Sequence, residues 1–442
     1  STAAAQTLTT SDFRDVTISA GGGEPSIALD DSPGSPGHGN LYVVSPASLT
    51  IFRSTDGGQT FTKQAAVDAS SPSRGGDTDV TTLPNGNVVV ADLDVTHALV
   101  QVSTDQGATL SRGFPTAYED DRPWLTAASN SVVYVAYHDF VGEIPVVCTS
   151  TDGANTFTNC FPAFGPHQSV PQCAENTIPS RNLGVDPTDG SLNFMYACST
   201  AQENAQDPPY GPLHDFYLAH SATVQNGAAP VYTTSPVFTA DASNGKAPNY
   251  SNIFSDFRID SAGNYYALFS GTADDNNVLA NPYHVYLTTS TDKGAAWSKP
   301  VQVDAPNDPR NPGTNVFADL AVTSPGNVDI AWYHSAFTGE PNGACGGTVP
   351  NTIGTASCTT AQNPFPPHTA GNAPGWNVVM AQSTTALASK PTFSRTVVNP
   401  NFTHYGQICT NGIVCGSSDR SLLDFLSIAV DCNGHAAVAY PA

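Results

Sequence analysis

The chemistry this chain offers is dominated by carboxylates: 38 Asp and Glu stand against 15 Lys and Arg, a formal net charge of −23. Several charged residues fall at the start of short apolar runs, namely Asp77 and Asp79, Asp121 and Arg122, Arg181, Asp256 and Asp319, with Glu24 and Asp424 close by. Side chains alternate along an extended strand, so Asp77 and Asp79 share a face, as do Asp256 and Arg258. Like charges brought together must pair with arginine, bind a cation or hold a proton. The positions are therefore open to three roles: salt bridges, a metal site at Asp77 and Asp79 (a structural Ca²⁺ by the chemistry of the donors), and acid–base work by Asp121, Asp256 or Asp319. Two aromatic–imidazole pairs, Tyr137-His138-Asp139 and Tyr333-His334-Ser335, add general-base candidates in His138 and His334 and substrate-binding candidates in Tyr137 and Tyr333.

These residues are positioned by a repeat. An apolar strand, a Gly-containing turn and a second apolar strand recur, with inner pairs beginning near 26, 79, 123, 182, 256, 319 and 427. Between them recurs Ser54-Thr-Asp-Gly-Gly-Gln-Thr-Phe61, again at Ser103–Leu110, Ser150–Phe157 and Ser290–Trp297. Ser-x-Asp-x-Gly reads as a tight hairpin corner, in which the carboxylate accepts backbone N–H groups and a left-handed residue reverses the chain. The corners at 220–224 and 383–393 lack the Asp and are expected to be longer loops. The expected fold is all-β, one domain over 1–442. It is a seven-bladed β-propeller with four-stranded antiparallel blades, closed by pairing of the N-terminal strand Asp12–Ser19 with the C-terminal blade. A six-bladed ring is the alternative. In either ring the start of each first strand and the end of each second strand share one rim, and the insertions 161–178, 200–213, 336–376 and 399–419 rise over it.

Composition excludes several function classes. The negative charge disfavours nucleic acid and anionic membranes, and no apolar run is long enough for a membrane span. Nine cysteines at local spacings fit an oxidising setting. The expected pairs are Cys148–Cys160, Cys173–Cys198, Cys345–Cys358 and Cys409–Cys415, with Cys432 left over. The start at Ser1-Thr-Ala-Ala-Ala resembles a mature end after signal removal, so the protein is expected to be secreted or displayed at the cell surface. Asn249-Tyr-Ser251 and Asn401-Phe-Thr403 match the N-glycosylation pattern and mark exposed loops.

The Ser-x-Asp-x-Gly corners resemble the Asp-box of the sialidase-like (BNR-repeat) β-propellers, in the branch of the bacterial exo-sialidases. The resemblance implies that the box Asp residues are structural, on the face opposite the active site, and that the chain is a carbohydrate-active protein of glycoside-hydrolase type acting on extracellular glycans. Asp120-Asp-Arg-Pro-Trp124 looks like the Asp-Arg-x-Trp segment of such proteins. A sialidase also needs three arginines for the substrate carboxylate. Arg122, Arg181 and Arg420 are the candidates, but Phe13-Arg-Asp-Val16 and Phe257-Arg-Ile-Asp260 lack the proline of the family's Phe-Arg-Ile-Pro segment, and no Tyr–Glu pair can be assigned. Two other readings stand beside this one. One is a non-catalytic propeller for binding, adhesion or self-assembly with a cell-surface partner. The other is a polysaccharide lyase in which His138 or His334 takes a proton while Arg122 or Arg181 neutralises a uronate. No cofactor is required by any of them.

Overall fold

The computed structural model describes residues 9, 12–19, 23–67, 77–94, 97–111, 113–118, 120–139, 144–163, 177–179, 181–198, 213–222, 230–241, 243–250, 255–304, 313–342, 363, 365–367, 371–410, 419–431 and 433–441. Among them are six antiparallel sheets of four or five strands and one of two, arranged as a β-propeller of six blades. The first strands of the blades are Ser26–Leu29, Thr78–Thr82, Asp120–Ala127, Gly184–Val185 (with Thr177–Pro179 ahead of it), Asp256–Ile259 and Thr314–Ser324. They line the axis, and each is followed outward by its partners in chain order.

The expectation of seven four-stranded blades is corrected. The last repeat unit forms only the hairpin Ser427–Val430 with Ala436–Ala439, which sits between the sixth blade and the first. The N-terminal segment does not add a strand to it: Asp12–Ser19 contains no strand residue. Its apolar residues, Phe13, Val16 and Ile18, break the two-residue alternation that a strand with one buried face needs. Contact is made by side chains instead: Phe13 packs against the same core cluster as Val430, Ala436 and Val438 of the hairpin, and the Tyr440 hydroxyl donates to Asp15 at 2.7 Å.

The repeated corners are real and nearly superimposable in their bonding. In each, the Ser hydroxyl donates to the Asp carboxylate and accepts from an N–H four residues on; the same Asp oxygen accepts an N–H four residues further along. The distances are 2.7, 2.9 and 2.9 Å around Asp56 and 2.8, 2.8 and 2.8 Å around Asp105. Asp152 and Asp292 repeat the pattern. All four turns join the third and fourth strands of a blade. In the 383–393 corner, hydroxyls replace the missing carboxylate: Ser383 accepts the N–H of Thr385, and Thr385 accepts that of Thr392.

First strands of neighbouring blades do not form ladders with one another, so the inner N–H groups at their upper ends need other acceptors. A belt of short side chains provides them. Ser26 accepts the Val80 N–H (3.3 Å), Asp79 that of Leu125 (2.7 Å), Asp256 that of Leu320 (2.9 Å), Asp319 that of Ile428 (2.7 Å), and Ser427 that of Ile27 (3.3 Å). Each is a bond from one sector to the next, and the hairpin is stitched in by two of them. The Arg181 guanidinium lies within the belt, 2.8 Å from Asp319 and donating to the Leu426 carbonyl and the Ser427 hydroxyl, each at 2.5 Å.

Removing the Asp319 carboxylate strips one N–H of its acceptor and leaves Arg181, only 4% exposed, without its counter-ion. Loss of one partner from a buried ion pair costs about 3–5 kcal/mol. The expected result for Asp319→Ala is an unfolding free energy lowered by that amount, seen as a lower urea midpoint at unchanged slope; a loss below about 1 kcal/mol would show that the belt is dispensable.

Candidate functional site

The upper ends of the first strands carry unusual backbone. Glu24, Arg122, Asn182, Phe317 and Leu423 all have left-handed conformations, with φ between 48° and 69°. For residues with a Cβ this costs about 1–3 kcal/mol each and persists only where surrounding structure imposes it. At Arg122 the cause is a bulge: strand pairing breaks between Ala136 and His138, leaving Arg122 and Pro123 without register partners. A second bulge at Phe317 lies between Val316 and Asp319. Bulges of this kind re-aim side chains at a rim.

The consequence is a cluster around Arg122. Its guanidinium lies 2.6 Å from Glu24, 3.2 Å from Asp77 and in contact with Asp424. Asp121 is hydrogen-bonded to Asp77, and Arg420 approaches Asp424 at 3.4 Å. Glu24 and Asp424 are each 1% exposed, whereas Asp77 and Asp121 are half-buried and reach the mouth. Burial raises Glu24 to about 7 and Asp424 to about 6, with Arg122 pulling both back. Burial likewise raises Asp77 and Asp121, again opposed by Arg122. The Asp77 carboxyl meets both Glu24 and Asp121, and carboxyls in mutual contact must share protons, so the three together retain a proton at the mouth.

Below this cluster, Phe425 plugs the axis. Its ring lies 4.6 Å from the Arg181 guanidinium, 5.4 Å from that of Arg122 and 5.3 Å from the Trp124 ring. A cavity of about 320 Å³ along the axis, lined by Thr82, Thr126 and Arg258 among others, lies on the other side of the belt. Within the belt, burial raises Asp256, with Arg258 opposing it and Asp319 adding to it.

The sequence-derived candidates therefore divide. Asp77, Asp121, Arg122 and Arg420 come together, and His138 stands opposite Asp121 in strand register. Asp79, Arg181, Asp256 and Asp319 belong to the belt. His334 lies in another network: its Nδ1 is 2.9 Å from Asn315 Oδ1, an atom that also accepts from Trp332 Nε1, while Asn315 Nδ2 donates to Asp304. Tyr137 and Tyr333 are core residues, 1% and 0% exposed, and offer no surface to a substrate. The proposed cation site does not fit its residues. Both Asp79 oxygens take donors, from Ser26 at 2.5 Å and Leu125 at 2.7 Å, and Asp77 faces Arg122. Among the described residues no group of three His, Cys, Asp or Glu is set to hold a metal.

Cys148 and Cys160 form the expected disulfide, across adjacent strands. Cys198 and Cys409 are disulfide-bonded as well. The expected partners Cys173 and Cys415, the Cys345–Cys358 pair and Cys432 lie outside the described residues.

One buried group escaped sequence reasoning. The Tyr283 hydroxyl lies 2.5 Å from Asp275 and 3.0 Å from Glu340, joining the loops that follow the second strands of blades five and six. A phenol has one proton for two acceptors, so one carboxyl must supply the second; burial pushes Glu340 far up. Asp275 and Glu340 lie in loops with no repeat, so spacing gave no signal for them.

No family model matches the chain, and no curated protein is similar to it in sequence. Among solved structures it is similar to a GH93 α-L-arabinofuranosidase of Fusarium graminearum in complex with arabinobiose, at 16% identity over 70% of this chain and 87% of that one, with a TM-score of 0.44. A polysaccharide lyase of family PL25, an ulvan lyase, is 11% identical over 86% and 96%, with a TM-score of 0.47. The GH74 xyloglucanase of Xanthomonas campestris is 13% identical over 70% and 44%, at 0.44. Likenesses this distant say nothing of the site, and the sialidase-like resemblance remains one of turns.

Because Glu24 and Asp424 bind protons more tightly folded than unfolded, their contribution to stability is full below about 4.5, the ordinary Glu value, and is lost as pH rises through about 7. Urea unfolding across pH 4.5 to 7.5 should therefore show stability falling, and Glu24→Gln should flatten the slope. An identical slope in the variant would mean that Glu24 does not hold the proton.

Proposed function

We propose that this chain is an extracellular β-propeller that acts on neutral glycans at the upper mouth of its ring. The observation that carries the reading is the mostly buried Asp77–Asp121 carboxyl pair at the mouth, in contact with each other and with Glu24 and backed by the buried Arg122. Such a pair works as one proton-sharing unit that can donate its proton to a departing glycosidic oxygen; carboxyls this close cannot flank the bond as acid and nucleophile, which stand about 5 Å or more apart, so the attacking group is a water on the far face of the sugar. Arg122 holds the pair in place. The neutral substrate class follows from the arginines: Arg122 faces Glu24, Asp77 and Asp424, and Arg181 faces Asp319, Leu426 and Ser427, so both are committed to protein partners. Recognition of a sialate or uronate by these guanidiniums would have to break those contacts, which weakens the sialidase and lyase readings. The disulfides support an oxidising compartment.

A non-catalytic glycan-binding propeller is the second reading, favoured by Phe425, which packs its buried ring beneath the mouth between Arg122 and Arg181. Purified protein offered neutral polysaccharides, uronic-acid polysaccharides and sialosides separates the readings. Turnover is expected on a neutral polymer, falling about 10²-fold or more in Asp121→Asn with the fold intact. Equal turnover in Asp121→Asn and Asp77→Asn, or turnover on sialosides alone, rules the mouth pair out; binding of a neutral polymer without turnover selects the second reading.

A further inference from the structure

Four large hydrophobic side chains are exposed among the described residues: Val231, Leu279, Phe402 and Tyr405. The last two form a pair. Their ring centroids are 5.4 Å apart at 73°, and the residues are 49% and 50% exposed. They stand on the connection that leaves the sixth blade after Ser394–Val397, on the same face as Asp121 and Arg122 and running on in the chain to Arg420 and Asp424.

This connection is held firmly. His404–Tyr405 pairs with Gly375 and Trp376 as a short strand. The N–H groups of Thr403, Gly406, Gln407 and Ile408 donate to the carbonyls of Trp376, Pro374, Pro366 and Pro341 at 2.8–2.9 Å, and Trp376 Nε1 donates to the Gly406 carbonyl at 2.7 Å. The Phe402 ring is seated directly over Gly375, where a Cβ would stand 2.2 Å from it, so glycine is required there. The backbone that carries the rings is thus fixed before any ligand arrives, which removes part of the ordering cost of binding.

We propose that Phe402 and Tyr405 form an accessory binding site for a neutral glycan, on which sugar rings stack by their apolar C–H faces. Three observations select that ligand. Residues 371–382 and 396–410 contain no Asp, Glu, Lys or Arg in a chain of net charge −23, and Asp419, 4.0 Å from His404, is mostly buried, so the segments carrying the rings present no charged side chain to a ligand. Polar groups beside the rings are amides and a phenol: the exposed Asn401, Asn377, and the hydroxyl of Tyr405, which match sugar hydroxyls as donors and acceptors. Two rings are also far too small an area for a stable protein partner, which needs about 800 Å² on each side. The site deepens the glycan reading given above, on which it rests for its ligand class but not for its geometry.

The test compares wild type with Phe402→Ala/Tyr405→Ala and with Phe402→Trp by retention on insoluble neutral polysaccharides, alongside sedimentation. The double variant should bind about tenfold more weakly or worse, while Phe402→Trp, which keeps a stacking face, should bind like wild type and vouch for the fold. Unchanged retention in the double variant overturns the site. So does a wild type retained by no neutral polymer, or one that self-associates through these rings, seen as a dimer that the double variant abolishes. Retention lost in the double variant while Asp121→Asn turns over normally supports the site and separates its fate from that of the mouth pair.

Discussion

The structure depends on satisfying backbone N–H groups where blades meet. Strands inside a blade bond to one another, but the innermost strands of neighbouring blades converge without a ladder, and a buried donor left alone costs about 1–3 kcal/mol. Ser26, Asp79, Asp256, Asp319 and Ser427 meet this need by reaching into the next sector. Short side chains are required because the reach is one strand spacing. Closure follows from the same bonds: Asp319 and Ser427 join the hairpin to the sixth and first blades, so the ring is completed at its axis even though the last sector carries only two strands.

Carboxylates used as acceptors bring charge to the axis, and the rest of the upper face is a response to it. Arg181 neutralises Asp319 at the belt; Arg122 neutralises Glu24, Asp77 and Asp424 above it. Phe425 separates the two guanidiniums and excludes water from both, which strengthens each ion pair. The left-handed residues Glu24, Arg122 and Leu423 are where the backbone bends to allow this packing. Strain and charge are concentrated at one place, which is also where a propeller has room for chemistry.

Local features of this fold were legible in the sequence, and long-range ones were not. The Ser-x-Asp-x-Gly corners rest on bonds spanning two or four residues, and the inner strand pairs on hairpins closed by a short turn, so their composition shows directly. That Asp121, Arg122 and Asp77 would come together was legible because each stands at the upper start of a first strand at the same rim. The blade count was not, since the repeat at 427–440 announces an inner pair without saying whether outer strands follow, and Phe13, Val16 and Ile18 only imitate one. Tyr137 and Tyr333 misled because strand ends look alike whether they surface or not. The Tyr283–Asp275–Glu340 contact spans non-repeating loops, and nothing local marks it.

The same side chain performs opposite work in two parts of this molecule, and the difference is set by donors. Asp56 sits in a solvent-facing turn and receives hydrogen bonds from Ser54 and from the N–H and hydroxyl of Thr60, which hold its carboxyl down at about 2. Such a group is an anion at every physiological pH and can only brace a corner. Glu24, Asp77, Asp121 and Asp424 instead crowd around one buried guanidinium, and full ionisation of all four would leave uncompensated negative charge out of water. Protons are the smallest available counter-charge, so the cluster retains them toward neutral pH, where Glu24 titrates at about 7. An acidic protein thereby acquires, at its upper mouth, carboxylic acids that can still donate, while its turn aspartates stay inert.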